Sequence, residues 1–237
     1  MYKALISTAI IAGLSGLAGA TVYTDNVGNE LAGGDLADFF QSQGFDHLDL
    51  VQVEITDDGT NITFDIQANA DLDATNWGKY ALGINNGSGP SDAGNGWGRN
   101  IDWGNGQEIT HWVATWADDG GSGIGGQVWD YDGANWNNSA GLFSSDDSQH
   151  ASGHQIFTVA LADLGLSAGD TFTFDVVTTG GGGGDPGVDH LSDFGVATPD
   201  WSTTSVGGQQ LSYTVTPTPG ALALLGLGGL VATKRRR

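Results

Sequence analysis

Two short runs constrain this chain more than any other feature. Leu50-Val51-Gln52-Val53-Glu54-Ile55-Thr56 alternates apolar and polar after Val51, and Asn61-Ile62-Thr63-Phe64-Asp65-Ile66 alternates again. Between them stands Asp57-Asp58-Gly59-Thr60, a turn sequence. Side chains of a strand point alternately to opposite faces, so each run offers one apolar face, and the Asp-Gly turn folds them into a hairpin. Thr171-Phe172-Thr173-Phe174-Asp175-Val176 repeats the pattern. Further strands are expected at 79–84, 109–116, 126–131, 155–161 and 211–215. Helical character is confined to 30–41 and to a turn at 161–166. Eight or so short strands with polar connections predict an all-β fold, an antiparallel jelly-roll-like β-sandwich.

Composition agrees. Glycine accounts for 40 of the 237 residues. Each glycine costs roughly 1 kcal/mol relative to alanine inside a helix, which disfavours a bundle. Collagen is excluded, because the glycines have no three-residue period and there are 5 prolines. Trp-Gly pairs at Trp77, Trp97 and Trp103 are unevenly spaced, so no repeat architecture is indicated. The run Gly180 to Gly184 reads as a loop within the domain, since a strand follows it.

The formal net charge is -21, and all 28 acidic residues fall within 21–216, where Lys79 and Arg99 are the cations. Such a surface repels phosphate backbones, so nucleic acid is not an expected partner. Cysteine is absent, so the core has to suffice without disulfides.

The two ends read as addresses. Met1-Tyr2-Lys3 followed by small apolar residues up to Ala18-Gly19-Ala20 has the form of a secretory signal peptide over 1–20, with the mature chain starting at Thr21. Residues 21–216 are the expected domain. At the other end, Pro217-Thr218-Pro219-Gly220 precedes twelve uncharged residues and then Thr233-Lys234-Arg235-Arg236-Arg237. Cations directly after a short apolar stretch act as a membrane stop on the cytoplasmic side. This tail, 217–237, resembles the PEP-CTERM sorting signal of bacterial surface proteins, with Thr218 where the name-giving motif has glutamate. Similar tails are also called an ice-binding protein C-terminal domain. The resemblance implies export, anchoring at the cell envelope by a short hydrophobic helix, and an exosortase-type transpeptidase as partner. Its sorting residues would be Pro217, Thr218, Pro219 and Lys234 to Arg237. The hairpin over 46–84 is similar to the opening of family-nine carbohydrate-binding modules and DOMON domains. That resemblance implies a secreted sandwich that binds sugar, or haem in some members. No methionine remains beyond the leader to serve as a haem ligand.

Tryptophan placement supplies the candidate site. Trp77, Trp97, Trp103, Trp112, Trp116, Trp129 and Trp136 lie close in sequence, with Trp201 apart. Flat indoles stack on sugar rings while amides and carboxylates bond hydroxyls. The alternation assigns Trp112 and Trp116 to the core. The turn-flanked Trp77, Trp97, Trp103 and Trp136, with Asn135 and Arg99, are the expected ligand-binding set. Arg99 and Lys79 equally suit pairing with acids. Acidic loops at Asp71 and Asp73, Asp118 and Asp119, Asp130 and Asp132, and Asp185, Asp189 and Asp193 offer oxygen ligands suited to calcium, with Asp130 and Asp132 as the leading pair. Catalytic motifs lack context. Gly165-Leu166-Ser167-Ala168-Gly169 precedes a strand rather than following one. His150 and His154 lack the glutamate of a zinc helix. The sequence therefore favours a non-catalytic carbohydrate binder of the envelope or exopolysaccharide. A structural matrix protein and a secreted glycan hydrolase are the alternatives.

Overall fold

The computed structural model describes residues 19–25, 35–75, 77–117, 125–143, 145–193 and 195–217. The remainder of the signal-like segment, the first part of the expected helix, Asn76, Asp118, Asp119 and the sorting residues Thr218, Pro219 and Lys234 to Arg237 lie outside these. No helix among the described residues is long and apolar enough to cross a membrane.

Two antiparallel sheets pack face to face. One is built from β1 (Thr21–Thr24), β2 (Leu50–Asp57), β3 (Asn61–Ala68), β9 (Ser145–Asp146) and β10 (His154–Ala160), in the order β1-β2-β3-β10-β9. The other has β12 (Gly187–His190), β11 (Thr171–Thr179), β4 (Lys79–Asn85), β6 (His111–Trp116), β7 (Gly125–Tyr131) and β8 (Trp136–Phe143) in that order, with β14 (Leu211–Thr214) beside the first half of β11. β5 (Ile101–Asp102) and β13 (Ser205–Val206) form a small parallel pair. The expected hairpin is β2–β3, with Gly59 at φ +79° in its turn. A left-handed residue there favours glycine. In the described part of the expected helix, α1 spans Asp38–Gln41, and the expected turn at 161–166 is a 3-10 helix over Leu161–Leu164. β8 was not foreseen, because Trp136-Asn137-Asn138-Ser139-Ala140 carries no alternation.

The main core lies between the sheets. Val53, Ile55, Ile62, Phe64 and Ile66 of one sheet meet Leu82, Ile84, Val113, Phe172, Phe174 and Val176 of the other. A second apolar layer covers the opposite face of the larger sheet. There Ala81, Trp112, Ala114 and Val177 point outward and are roofed by Ile101, Trp103 and Ile109 from the 86–110 connection. The indoles approach the sheet so closely that glycine is required beneath them. A Cβ at Gly83 would stand 2.5 Å from Trp103, and one at Gly96 would stand 2.5 Å from Trp129.

The sandwich has two distinct ends. Lys79 pairs with Thr179 and Asn85 with Thr173, so β4 starts where β11 ends. At that end lie the 180–186 loop, Trp77 and the approach to β2. At the opposite end, Thr21 pairs with Ile55, and Thr216 is held by Asp57. Asp57 accepts from Tyr213 Oη at 2.5 Å and from the Thr216 hydroxyl at 3.0 Å. The first residue of β1 and the exposed Pro217 thus leave from one end of the sandwich. The nine residues of β11 separate the two ends, a span of about 30 Å at the rise of a strand.

Candidate functional site

At the end away from Thr21 and Pro217, Phe45, Trp77 and Trp201 wall an open cleft of about 490 Å³, floored by Gly181 and Gly182 and edged by Asp185. Each wall comes from a different part of the chain. Phe45 precedes the 3-10 turn Asp46–Leu48, Trp77 leads into β4, and Trp201 lies in the turn before β13. The rings hold one another edge to face. Phe45 and Trp77 are 5.0 Å apart, Trp77 and Trp201 5.9 Å, and Phe40 supports Trp201 from behind at 4.9 Å. Their layer rests on Leu36, Phe40, Leu48 and Val188. The glycines are needed where they are. A Cβ at Gly180 would press on Trp201 at 2.9 Å, and one at Gly181 on Trp77 at 3.1 Å. Trp77 and Trp201 are half-buried, and their indole N–H groups meet no acceptor among the described residues.

His47 backs the cleft, its ring 5.1 Å from that of Trp77. Its Nε2 is 3.0 Å from Thr75 Oγ1, and its Nδ1 is buried without a partner. Burial holds its pKa below the ordinary imidazole value, with Asp46 opposing. The Tyr80 hydroxyl donates to the His47 carbonyl at 2.7 Å, which fixes this turn on β4.

Asp185 links the cleft to Arg99. Its Oδ2 accepts from Gly182 N at 2.7 Å and stands 4.0 Å from Arg99 Nη1, beyond hydrogen-bond reach. Only 5 % of the Arg99 side chain is exposed. The guanidinium lies 5.4 Å from the centre of the Trp97 ring, and Nε and Nη1 are buried without hydrogen-bond partners. Burial pulls its pKa below the usual guanidinium value, while Asp185 works the other way.

The expected ligand-binding set is therefore dispersed. Trp77 lies in the cleft, and Arg99 is joined to it by Asp185. Trp103 is not in an exposed loop: it is 1 % exposed, in the outer layer, and its Nε1 donates to Gly94 O at 3.3 Å. Trp97 and Trp136 are half-buried in the same layer, donating to Gln127 Oε1 at 2.9 Å and Asp92 Oδ2 at 3.0 Å. Asn135 sits in the exposed β7–β8 turn and donates its backbone N–H to Asp132. Trp112 is fully buried, but in the outer layer rather than between the sheets, and Trp116 is only half-buried, 6.4 Å from Trp97. Sequence reading missed Phe45 and Trp201 as site residues and named Asp185 only in an acidic loop with Asp189 and Asp193, because nothing local joins the three. The glycine run against two indoles was the available signal.

Of the expected calcium pair, each carboxylate has its own surroundings. Asp130 lines a different hollow of about 360 Å³ with His111, Tyr131 and Asp163, at the end from which Thr21 and Pro217 leave. Asp132 caps its own turn, and the N–H groups of Asn135, the Asn137 side chain and Ala134 hold its carboxyl below the usual carboxylate range. Among the described residues, the cluster of three carboxylates close enough to share a cation is Asp25, Asp35 and Asp189, each offering an oxygen within 4.8 Å of the others. Asp189 accepts from Leu50 N at 2.6 Å and His190 N at 2.7 Å. Burial, then the charges of Asp25 and Asp35, push its carboxyl well up.

One array has the form of a hydrolase triad. His190 Nδ1 is 2.7 Å from Asp175 Oδ2, and His190 Nε2 is 3.0 Å from Ser205 Oγ. Nδ1 faces the carboxylate and Nε2 shares the second hydrogen bond with the Ser205 hydroxyl. All three residues are wholly buried, and Ser205 Oγ accepts from Gly187 N at 3.0 Å. The array ties β11, β12 and β13 together under the outer layer. His150 and His154 are likewise engaged separately, with Asp73 and Asp65.

The chain matches no protein-family model and no curated protein. The cleft's chemistry therefore stands on its residues alone.

Proposed function

We propose that this protein is an exported, envelope-anchored, non-catalytic β-sandwich that binds carbohydrate in the Phe45–Trp77–Trp201 cleft. The observation that carries the reading is the cleft itself. Half-buried aromatic walls, bare glycine backbone and one carboxylate combine an apolar surface with a few polar groups, the composition that sugar rings require. The indole N–H groups of Trp77 and Trp201, which meet no acceptor among the described residues, add donors for ring hydroxyls. Topology favours the same reading. If the tail after Pro217 anchors the chain, the cleft stands on the far end of the domain, about 30 Å outward. The sorting signal, its transpeptidase and the membrane stop belong to this proposal through the tail sequence. The burial of Ser205 weighs against the hydrolase alternative, since a nucleophile must meet its substrate.

Tryptophan fluorescence of the full chain in detergent, titrated with a polysaccharide panel, tests the reading. The expected result is a saturable change that Trp201→Ala removes. Saturable binding with release of reducing ends would establish a hydrolase instead. No response from any polysaccharide would favour the structural matrix protein.

A further inference from the structure

The hollow at the Thr21 and Pro217 end is built from residues that the alternation of β6 and β7 turns inward. His111 pairs with Asp130, and Val113 pairs with Val128. Both valines belong to the core between the sheets. His111 and Asp130, each two residues away, therefore share that inner face, a position where packing alone would call for apolar side chains. The 3-10 turn Leu161–Leu164 supplies the facing wall. Leu161 and Leu164 enter the core, while Asp163 lines the hollow. Hydrogen bonds fix these walls. Asn86 Nδ2 donates to the Leu164 carbonyl at 3.0 Å, and Asn86 N donates to Thr110 Oγ1 at 3.1 Å. Thr110 Oγ1 in turn stands 2.9 Å from His111 Nδ1. His111 is 9 % exposed and lines the hollow, and its Nε2 meets no hydrogen-bond partner among the described residues. A Cβ at the left-handed Gly165 would stand 3.9 Å from His111 Cε1, so a longer side chain there would begin to cover the ring. Tyr131, 5.5 Å from Trp136, adds an aromatic wall. Among the described residues, no lysine or arginine lines this hollow.

We infer that this hollow is a second binding site, and that it takes a small ligand carrying a primary ammonium group, the chemistry shared by amino sugars and polyamines. Its volume of about 360 Å³ is room for about a dozen waters, enough for one sugar ring or a short amine chain. An ammonium brings one positive charge and three donors, with no acceptor. The lining answers with the carboxylates of Asp130 and Asp163, and a carboxylate bonds a cationic donor more strongly than a neutral one. Burial holds the His111 pKa below the ordinary imidazole value, with Asp130 opposing, so near neutral pH the ring adds no competing positive charge. An acetylated amine keeps one donor and loses the charge. An anion would meet both carboxylates as like charges. Asp130, Asp163 and His111 do not converge to within 4.8 Å of one another as Asp25, Asp35 and Asp189 do. That spacing favours a ligand that brings its own hydrogens over a bare metal ion. The inference stands on this hollow alone and needs nothing from the aromatic cleft.

The test is calorimetric titration of the full chain in detergent, in chelator at physiological salt and about pH 6, below the ordinary amine range. The probes are triglucosamine, tri-N-acetylglucosamine and spermidine. Triglucosamine or spermidine is expected to bind saturably, and the acetylated trimer at least tenfold more weakly. Preference for triglucosamine would identify an amino sugar as the source of the ammonium, and preference for spermidine a polyamine. The net charge of -21 attracts cations to the whole surface, so a charge-matched control is needed. Asp130→Asn and Asp163→Asn are each expected to lower the affinity about tenfold. Asp163 is exposed, so its variant tests the site even if Asp130→Asn lowers the melting temperature. Asp147→Asn makes the same charge change at another exposed position and is expected to leave the affinity within about twofold, as is Trp201→Ala. An equal loss in Asp147→Asn would show a diffuse field and overturn the inference. Equal binding of the acetylated trimer would overturn the ligand class. Ammonium binding that Trp201→Ala removes, while both hollow variants keep it, would move the ligand to the cleft and overturn the site. No binding of either amine would overturn the inference and leave the cleft reading, which Trp201→Ala tests, standing.

Discussion

Trp97, Trp103, Trp129 and Trp136 donate their indole N–H groups to protein acceptors, whereas those of Trp77 and Trp201 meet none among the described residues. The first group lies over the outer face of the larger sheet, beneath a long connection. The second lies at one end of the sandwich, against a glycine loop. The same side chain thus serves two purposes, and burial together with the partner of its nitrogen tells them apart; Trp112, fully buried with an unpartnered Nε1 among the described residues, joins the first group by burial. An indole whose N–H is taken and whose faces are packed has nothing left to offer a ligand. One that is braced from behind, with an uncommitted N–H, can bind without refolding.

The largest expected effect falls in the outer layer. Trp103→Ala should cost roughly 3–5 kcal/mol of unfolding free energy, read by chemical denaturation, because a fully buried indole leaves a cavity under the 86–110 connection. A loss below about 1 kcal/mol would erase the distinction between the two groups. Gly83→Ala comes next. Its methyl would meet Trp103 at 2.5 Å, and overpacking of that kind should cost roughly 1–3 kcal/mol in the same assay. A neutral result would mean that the indole has room to move.

Trp201→Ala should separate stability from binding. The half-buried ring should cost only roughly 1–2 kcal/mol of stability, a fraction of the full-burial value. Glycan affinity should fall by roughly 1–3 kcal/mol, the range for a base stacked on an aromatic ring. Melting temperature and affinity moving together in both Trp103→Ala and Trp201→Ala would merge the groups into one.

The smallest effect is a pH dependence. Burial holds the folded pKa of His47 below the ordinary imidazole value, with Asp46 opposing. Its contribution to stability is therefore present above that value and is lost as pH falls through it toward the folded value. Asp189 is shifted upward and acts oppositely, since the folded state takes up its proton more readily as pH falls. The difference between wild type and His47→Gln isolates the histidine. The wild type should lose more stability between about pH 7 and pH 5 than the variant does. Parallel profiles would detach His47 from the cleft's support.

How much of this was legible in the chain follows the range of each signal. Alternation within β2 and β3 specifies a strand with one buried face, because the side-chain period of a strand is local. The same alternation placed Trp112 correctly on one face of β6, yet could not say which face was covered by what. β8 escaped notice because its pairing with β7 is supplied by the neighbour's backbone, not by its own side chains. Pairing of β7 with β8 also carries Trp136 away from Trp77, although the two lie in one tryptophan-rich stretch.

The sequence by itself determined the sandwich, its principal hairpin and an acidic surface, since periodicity, turn chemistry and net charge need no distant partner. Only the tertiary structure decided which indoles line the open cleft. Antiparallel pairing of β4 with β11 brings Trp77 to Gly181, and the return of the chain toward β13 lays Trp201 beside them. The 86–110 connection closes over Trp103 instead. Exposure of a loop tryptophan depends on what folds over it, and that covering comes from residues far away in the chain.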